Sequence, residues 1–305
     1  MSDDFKSIEK AANELAIELG VSLSFIEKDW YATKVLKAIS EFYHTDIIPI
    51  FSGGTSLSKG YNLIQRFSED LDFKIDCKYE PSIPAFKEYR TQILNSIEEI
   101  QDIQLKRDSL ISRNGSKYFS VLIIYPQRIN TASNLRPEIK LEFNFVKPKS
   151  KTQERTISSM INSFTSSDAE TMLQCVSPIE TAADKFSAFI WRVLKRDRNS
   201  INDDPTLIRH LYDLFALEAA IKNNTKQWMN LIQEIYPIDF KRGSINKDLI
   251  IAAKDTFQKL NDDNLYEEEF KKFVFGMSFT KTEVGISFKE ALNSFARIIE
   301  LIEAD

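Results

Sequence analysis

Cysteine is almost missing from this 305-residue chain, which has only Cys77 and Cys175. They lie far apart and lack the spacing of zinc ligands. That excludes a disulfide scaffold and a cysteine-based metal centre, and predicts buried free thiols in a reducing compartment. Histidine is equally scarce, with two residues, and His210 has no second histidine near it in sequence to suggest a metal or acid–base pair. No apolar run approaches the roughly 18 residues of a membrane span. The opening Met1-Ser2-Asp3-Asp4 is acidic rather than basic-then-apolar, so no secretory leader is visible and a soluble, cytoplasmic protein is expected. Positive charge is not in excess either: the formal net charge is −5. Any nucleic-acid contact would need a local basic patch. Internal repeats and low-complexity tracts are absent. What remains is an ordinary globular composition, 43% hydrophobic, long enough for two domains.

The densest chemistry runs from Ile48 to Asp76. Ile48-Pro49-Ile50-Phe51 predicts a buried strand, and Gly53-Gly54 allows a sharp turn with backbone N–H groups exposed. Thr55 and Ser56 then open a short helix suited to an anion such as phosphate. Further on, Asp70-Leu71-Asp72-Phe73 alternates acid and apolar. On a strand, both carboxylates would project from one face, roughly 6.5–7 Å apart, while Leu71 and Phe73 enter the core. Paired carboxylates beside a phosphate cradle make a Mg²⁺–nucleotide site. A Walker A loop is excluded, because Lys59 follows Ser58 and no glycine precedes it.

Gly-Gly-Thr-Ser-Leu-Ser-Lys (53–59) followed by Arg-Phe-Ser-Glu-Asp-Leu-Asp-Phe (66–73) resembles the AbiEii/AbiGii toxin family. That family includes the MenT-like tRNA-modifying toxins and belongs to the polymerase-beta-like nucleotidyltransferase superfamily. Glu27-Lys28-Asp29-Trp30 is similar to the family's N-terminal pattern, and either supports the active site or forms a solvated charged face. The resemblance implies an α/β (α+β) fold with a mixed sheet, Mg²⁺ (or Mn²⁺) and an NTP substrate. It further implies transfer of NMP to an acceptor, expected to be tRNA, by the toxin of a toxin–antitoxin or abortive-infection pair with a cognate antitoxin. Transfer to a protein or small-molecule hydroxyl, or nucleotide binding without catalysis, stay open.

The resemblance assigns Asp70 and Asp72 to metal binding and Gly53, Gly54, Thr55, Ser56, Lys59, Arg66 and Ser68 to the nucleotide. A third carboxylate is expected on a neighbouring strand. Glu138–Phe145 alternates cleanly, and Glu142, then Glu138, are its candidates; the alternative is that Lys140 and Glu142 are the wet face of a half-buried sheet. The family also places an Asp-Lys pair early in a helix, matched by Asp184-Lys185, and an Arg ahead of a Tyr-Asp pair, matched by Arg209 and Tyr212-Asp213. Lys185 would then hold triphosphate oxygens, with Asp213 ordering it or acting as a base. The alternative for Asp213 is an intrahelical pair with Arg209.

Around these motifs the spacing predicts helices over 5–19 and 84–103, one starting at a Ser24–Glu27 capping box, and strands at 118–125, 138–145 and 172–176. Lys147, Lys149, Lys151 and Arg155 form a basic segment, either a solvated loop or an RNA contact. Ser177-Pro178-Ile179-Glu180 starts a helix, Asp203-Asp204-Pro205 restarts one, and residues 222–305 are helical. The expected organisation is a nucleotidyltransferase domain over 1–176 and an α-helical bundle over 177–305 that completes the site.

Overall fold

The computed structural model describes residues 4–132, 135–278 and 286–304. The chain forms two compact units that divide after Val176.

The first unit is a mixed sheet with helices. Its elements are α1 (Asp4–Leu19), α2 (Leu23–Glu41), β1 (Ile47–Ser52), α3 (Gly53–Lys59), β2 (Asp70–Cys77), α4 (Ile83–Glu98), β3 (Gln104–Arg113), β4 (Tyr118–Ile124), β5 (Ile139–Asn144), β6 (Gln153–Ile157), α5 (Met160–Phe164) and β7 (Thr171–Cys175). The strand order is β3-β4-β5-β2-β1-β7-β6. The two central acidic strands, β2 and β5, run parallel, while β1 and β2 run antiparallel.

One face of the sheet is the core. Phe51, Phe73, Phe143 and Phe119 sit side by side across β1, β2, β5 and β4, with ring centroids 5.3, 5.0 and 4.7 Å apart. Tyr31, Val35, Leu36 and Ile39 of α2 join them in one buried cluster with Tyr89, Ile93, Leu94 and Ile97 of α4. Because strand side chains alternate, burying Leu71, Phe73 and Ile75 sends Asp70, Asp72 and Lys74 to the opposite face. Burying Ile139, Leu141 and Phe143 does the same for Lys140 and Glu142.

Three local expectations need correction. Helix α2 is capped by Ser22, not Ser24. The Ser24 hydroxyl accepts instead from the Ala132 N–H, and the Glu27 carboxylate that a capping box would use accepts from the N–H groups of Arg128 and Ile129. Helix α4 stops at Glu98, and Ile100 and Ile103 continue its apolar spacing only through successive turns. Beyond them lie the edge strand β3 and, later, the edge strand β6, both polar enough that periodicity missed them.

The second unit is helical: α6 (Pro178–Lys195), a 3₁₀ turn (Pro205–Ile208), α7 (Arg209–Asn223), α8 (Thr225–Gly243), α9 (Leu249–Asp262), α10 (Leu265–Met277) and α11 (Phe288–Glu303). The Ser177 hydroxyl caps α6 by accepting from the Glu180 N–H, with Pro178 in the first turn. Phe186 packs on Trp228 and Phe295, and Phe189 on Phe295, at the centre of the bundle. No helix among the described residues is long and apolar enough to cross a membrane.

Candidate active site

The site is built where β1 turns into α3. Gly53 has φ +73°, and a Cβ there would lie 2.2 Å from Asp72 Oδ2. A Cβ on Gly54 would lie 2.9 Å from both Arg66 Nη2 and Ser68 Oγ. Two adjacent glycines therefore let a carboxylate, a guanidinium and a hydroxyl close onto bare backbone, which no other residue would permit. Hydroxyls fasten this turn to the acidic strand: Thr55 Oγ1 donates to the Asp70 carbonyl at 2.5 Å, and Ser52 Oγ to the Asp72 carbonyl at 3.1 Å. Arg66 is buried and donates to the Phe67 carbonyl.

Register brings the acids together. Asp72 pairs with Glu142 and Asp70 with Lys140 across the parallel β2–β5 ladder, and Ser52 lies opposite Asp72 on β1. Asp70, Asp72 and Glu142 thus share one face. Two of them already hold cations from the chain: Arg136 Nη2 lies 2.5 Å from Asp70 Oδ1, and Lys140 forms an ion pair with Glu142. Tyr118 also donates its phenol to Glu142 at 3.0 Å. Burial pushes the Tyr118 phenol up, which keeps it protonated as that donor.

Among the described residues no group of three or more His, Cys, Asp or Glu is arranged as a ready-made metal cage. The donor set still fits Mg²⁺, a hard ion that takes oxygen ligands and commonly uses one or two carboxylates together with substrate phosphates. A face that attracts a guanidinium and an ammonium has the electrostatics for it.

Behind the turn lies a buried charged layer. Glu27, Lys28 and Asp29 of α2 are all buried, so the solvated-face alternative for this run fails. Burial pushes Lys28 down from the ordinary lysine range and Glu27 up from the carboxylate range, the latter opposed by its two backbone N–H donors. Lys28 Nζ contacts Glu69 Oε1 at 2.7 Å and the Arg136 carbonyl at 2.8 Å. Asp29 accepts from the Met160 N–H at 2.7 Å and pairs with Lys59 at 2.6 Å. Lys59 also donates to Thr33 Oγ1 and the Ser158 carbonyl, so its three donors are all directed inward. The Ser56 hydroxyl is likewise buried, beside the Cys175 thiol, which burial raises to about 11. A cavity of about 560 Å³ opens along α3, lined by Thr55, Ser58, Arg66 and Ser68 on one side and by Leu15 and Phe164 on another.

The basic segment is not one free patch. Lys147 pairs with Asp76 at 2.9 Å, and Arg155 lies on β6 with its guanidinium 4.6 Å from the Tyr61 ring centroid. Lys149 and Lys151 are exposed.

In the helical unit, Lys185 Nζ lies 2.6 Å from Asp213 Oδ2, and Asp213 is 0% exposed. This buried pair joins α6 to α7.

The model for the nucleotidyl transferase AbiEii toxin of type IV toxin–antitoxin systems matches residues 34–294. The chain belongs to the AbiEii family. It is accordingly a nucleotidyltransferase, and its family implies an antitoxin partner. Its fold is that of MenT4, nucleotidyltransferase toxin Rv2826c from Mycobacterium tuberculosis H37Rv, at a TM-score of 0.57 and 14% identity, over 96% of this chain and 89% of that one. No curated protein matches.

For an AbiEii chain, the glycine turn, the acidic strand and the Lys–Asp pair were visible in the sequence. Arg136, Tyr118 and the ion pair of Lys140 with Glu142 were not. A signal existed for the layer behind the turn: three consecutive charges span about 200° of helix, and here Phe25, Ile26, Trp30 and Tyr31 flank them. Such a helix cannot turn every charge outward, and buried charges must find partners.

Proposed function

We propose that this AbiEii protein transfers NMP from an NTP to tRNA in a Mg²⁺-dependent reaction, as the toxin of a toxin–antitoxin or abortive-infection pair acting in the cytoplasm. The observation that carries the reading is the contact between Gly53 and Asp72, which makes the phosphate-binding turn and the carboxylate strand one rigid structure.

Asp70 and Asp72, with Glu142 beside them, would hold Mg²⁺, which would supply Lewis-acid stabilisation of the charge that develops during transfer. The chain's own part is mostly positioning and charge. Gly53 and Gly54 let the Asp72 carboxylate, the Arg66 guanidinium and the Ser68 hydroxyl close onto the turn, and the last two would meet the phosphates. Thr55 acts indirectly, by fixing the start of β2. Lys59 and Ser56 hold α3 in place, and Lys59 also lines the cavity beside it. Within the helical unit, Asp213 holds the buried Lys185 ammonium in one rotamer. Exposed Lys149 and Lys151 would contact the acceptor's backbone.

The test is incubation of the protein, and of an Asp70→Ala/Asp72→Ala variant, with each labelled NTP, Mg²⁺ and total tRNA, resolved on a denaturing gel. Label on tRNA that depends on the two aspartates is expected, and names the base. Unlabelled tRNA with every nucleotide, while label reaches protein or a small molecule, would overturn the choice of acceptor.

A further inference from the structure

Arg136 lies outside every motif that pointed to the site, yet its guanidinium sits on the first carboxylate of the acidic strand. Its main chain is held at both polar groups. The Arg136 N–H donates to Glu69 Oε1 at 2.7 Å, and its carbonyl accepts from Lys28 Nζ at 2.8 Å. Lys28 and Glu69 are themselves paired, and Lys28 is 1% exposed. A buried ammonium carries a desolvation cost, so its use to anchor one residue of a loop requires that residue's position to matter. The side chain is treated differently. It is 41% exposed, 2.5 Å from Asp70 Oδ1 and 3.6 Å from Glu69 Oε2. The backbone is thus fixed, while the guanidinium rests at the surface on a long stem that can pivot.

An arginine in that place presents five N–H donors in a planar fork, the geometry that recognises phosphate oxygens bidentately. A cation arriving at Asp70 must also displace the guanidinium from Oδ1. We propose that Arg136 is a phosphate-contacting and positioning residue: its guanidinium neutralises Asp70 until a ligand arrives, moves to the nucleotide's phosphates when nucleotide binds, and is likewise released to them when a divalent cation takes Asp70. Metal and nucleotide binding are then coupled through one side chain, because each releases what the other needs. Lys28 and Glu69 serve this by fixing the pivot, which gives the Glu27-Lys28-Asp29 run a task at the site. The inference rests on the reading of the acidic face as a metal–nucleotide site.

The test uses the full chain, Mn²⁺ as the cation probe followed by electron paramagnetic resonance, and ATP, GTP, CTP and UTP as nucleotide probes followed by calorimetry in EDTA. Arg136→Ala should bind Mn²⁺ about fivefold more tightly without nucleotide, as expected for loss of a half-exposed competing ion pair. It should bind the preferred NTP about tenfold more weakly in EDTA, having lost a charge-assisted contact. Arg136→Lys, which keeps the charge and the anchored backbone, should fall between and controls for misfolding. A side chain that only neutralises Asp70 would alter Mn²⁺ binding and leave metal-free nucleotide affinity unchanged, and that result overturns the proposal. So does unchanged or weaker Mn²⁺ binding by Arg136→Ala. If the wild-type protein binds neither probe, the metal–nucleotide reading itself fails and takes this inference with it.

Discussion

Asp72 Oδ2 occupies the space that any side chain at position 53 would need. Gly53→Ala therefore meets two penalties at once, a Cβ 2.2 Å from that oxygen and a left-handed φ of +73°. It should cost about 1–3 kcal/mol of stability and, by moving the carboxylate, lower transfer by on the order of a hundredfold. Thermal unfolding and single-turnover transfer measured on the same preparation check both. Asp213 makes a second case. Removing it strands a buried lysine, so Asp213→Ala should destabilise the helical unit by about 3–5 kcal/mol in urea unfolding. Asp213→Leu with Lys185→Met should recover much of that stability. These residues were legible in the sequence because each belongs to a short contiguous string. Arg136 was not, because its significance comes from a loop brought 66 residues back along the chain to Asp70.

Contacts between elements hold the turn together and, within the helical unit, the bundle. Asp29 fastens α2 to the first turn of α5 through the Met160 N–H and to α3 through Lys59. Asp29→Ala should loosen both helices, cost about 3–5 kcal/mol, and raise amide exchange at Met160. In the bundle, Glu218 of α7 accepts two hydrogen bonds from Arg297 of α11 at 2.6 Å each. That guanidinium, with Lys222 and Ser294, lowers the Glu218 carboxyl to about 2 from an ordinary 4.5. A depressed carboxyl contributes stability that is fully present above about pH 4.5 and lost as pH falls through 2. Because Arg297 is partly solvated, the contribution is about 1–2 kcal/mol. Glu218→Gln should thus be destabilised by that amount at pH 7 and match the wild type near pH 2 in urea titrations. Most elements could be placed from apolar spacing. The edge strands β3 and β6 could not, since a strand paired on one side and wetted on both faces carries no alternation.

For the whole molecule, a net charge of −5 and a basic segment partly used internally limit the electrostatic grip on RNA. With about two or three phosphates neutralised, the logarithm of tRNA affinity should fall against log salt with a slope near −2. Lys149→Ala with Lys151→Ala should flatten it by about 1.5, as read by filter binding across a salt series. The mixed sheet followed by a helical bundle was foreseeable because a handful of motif residues specify the fold and its chemistry together. The internal ion pairs were not, since they depend on which strands become neighbours. The Gly53 turn and the acidic strand are proposed to form the nucleotidyl-transfer centre. This is tested most directly by transfer of α-labelled NTP to macromolecular acceptors in a cell-free extract, comparing wild type with Asp72→Asn. The account predicts a loss of about a thousandfold or more, with thermal stability held or raised. Transfer by Asp72→Asn within about threefold of wild type would contradict it.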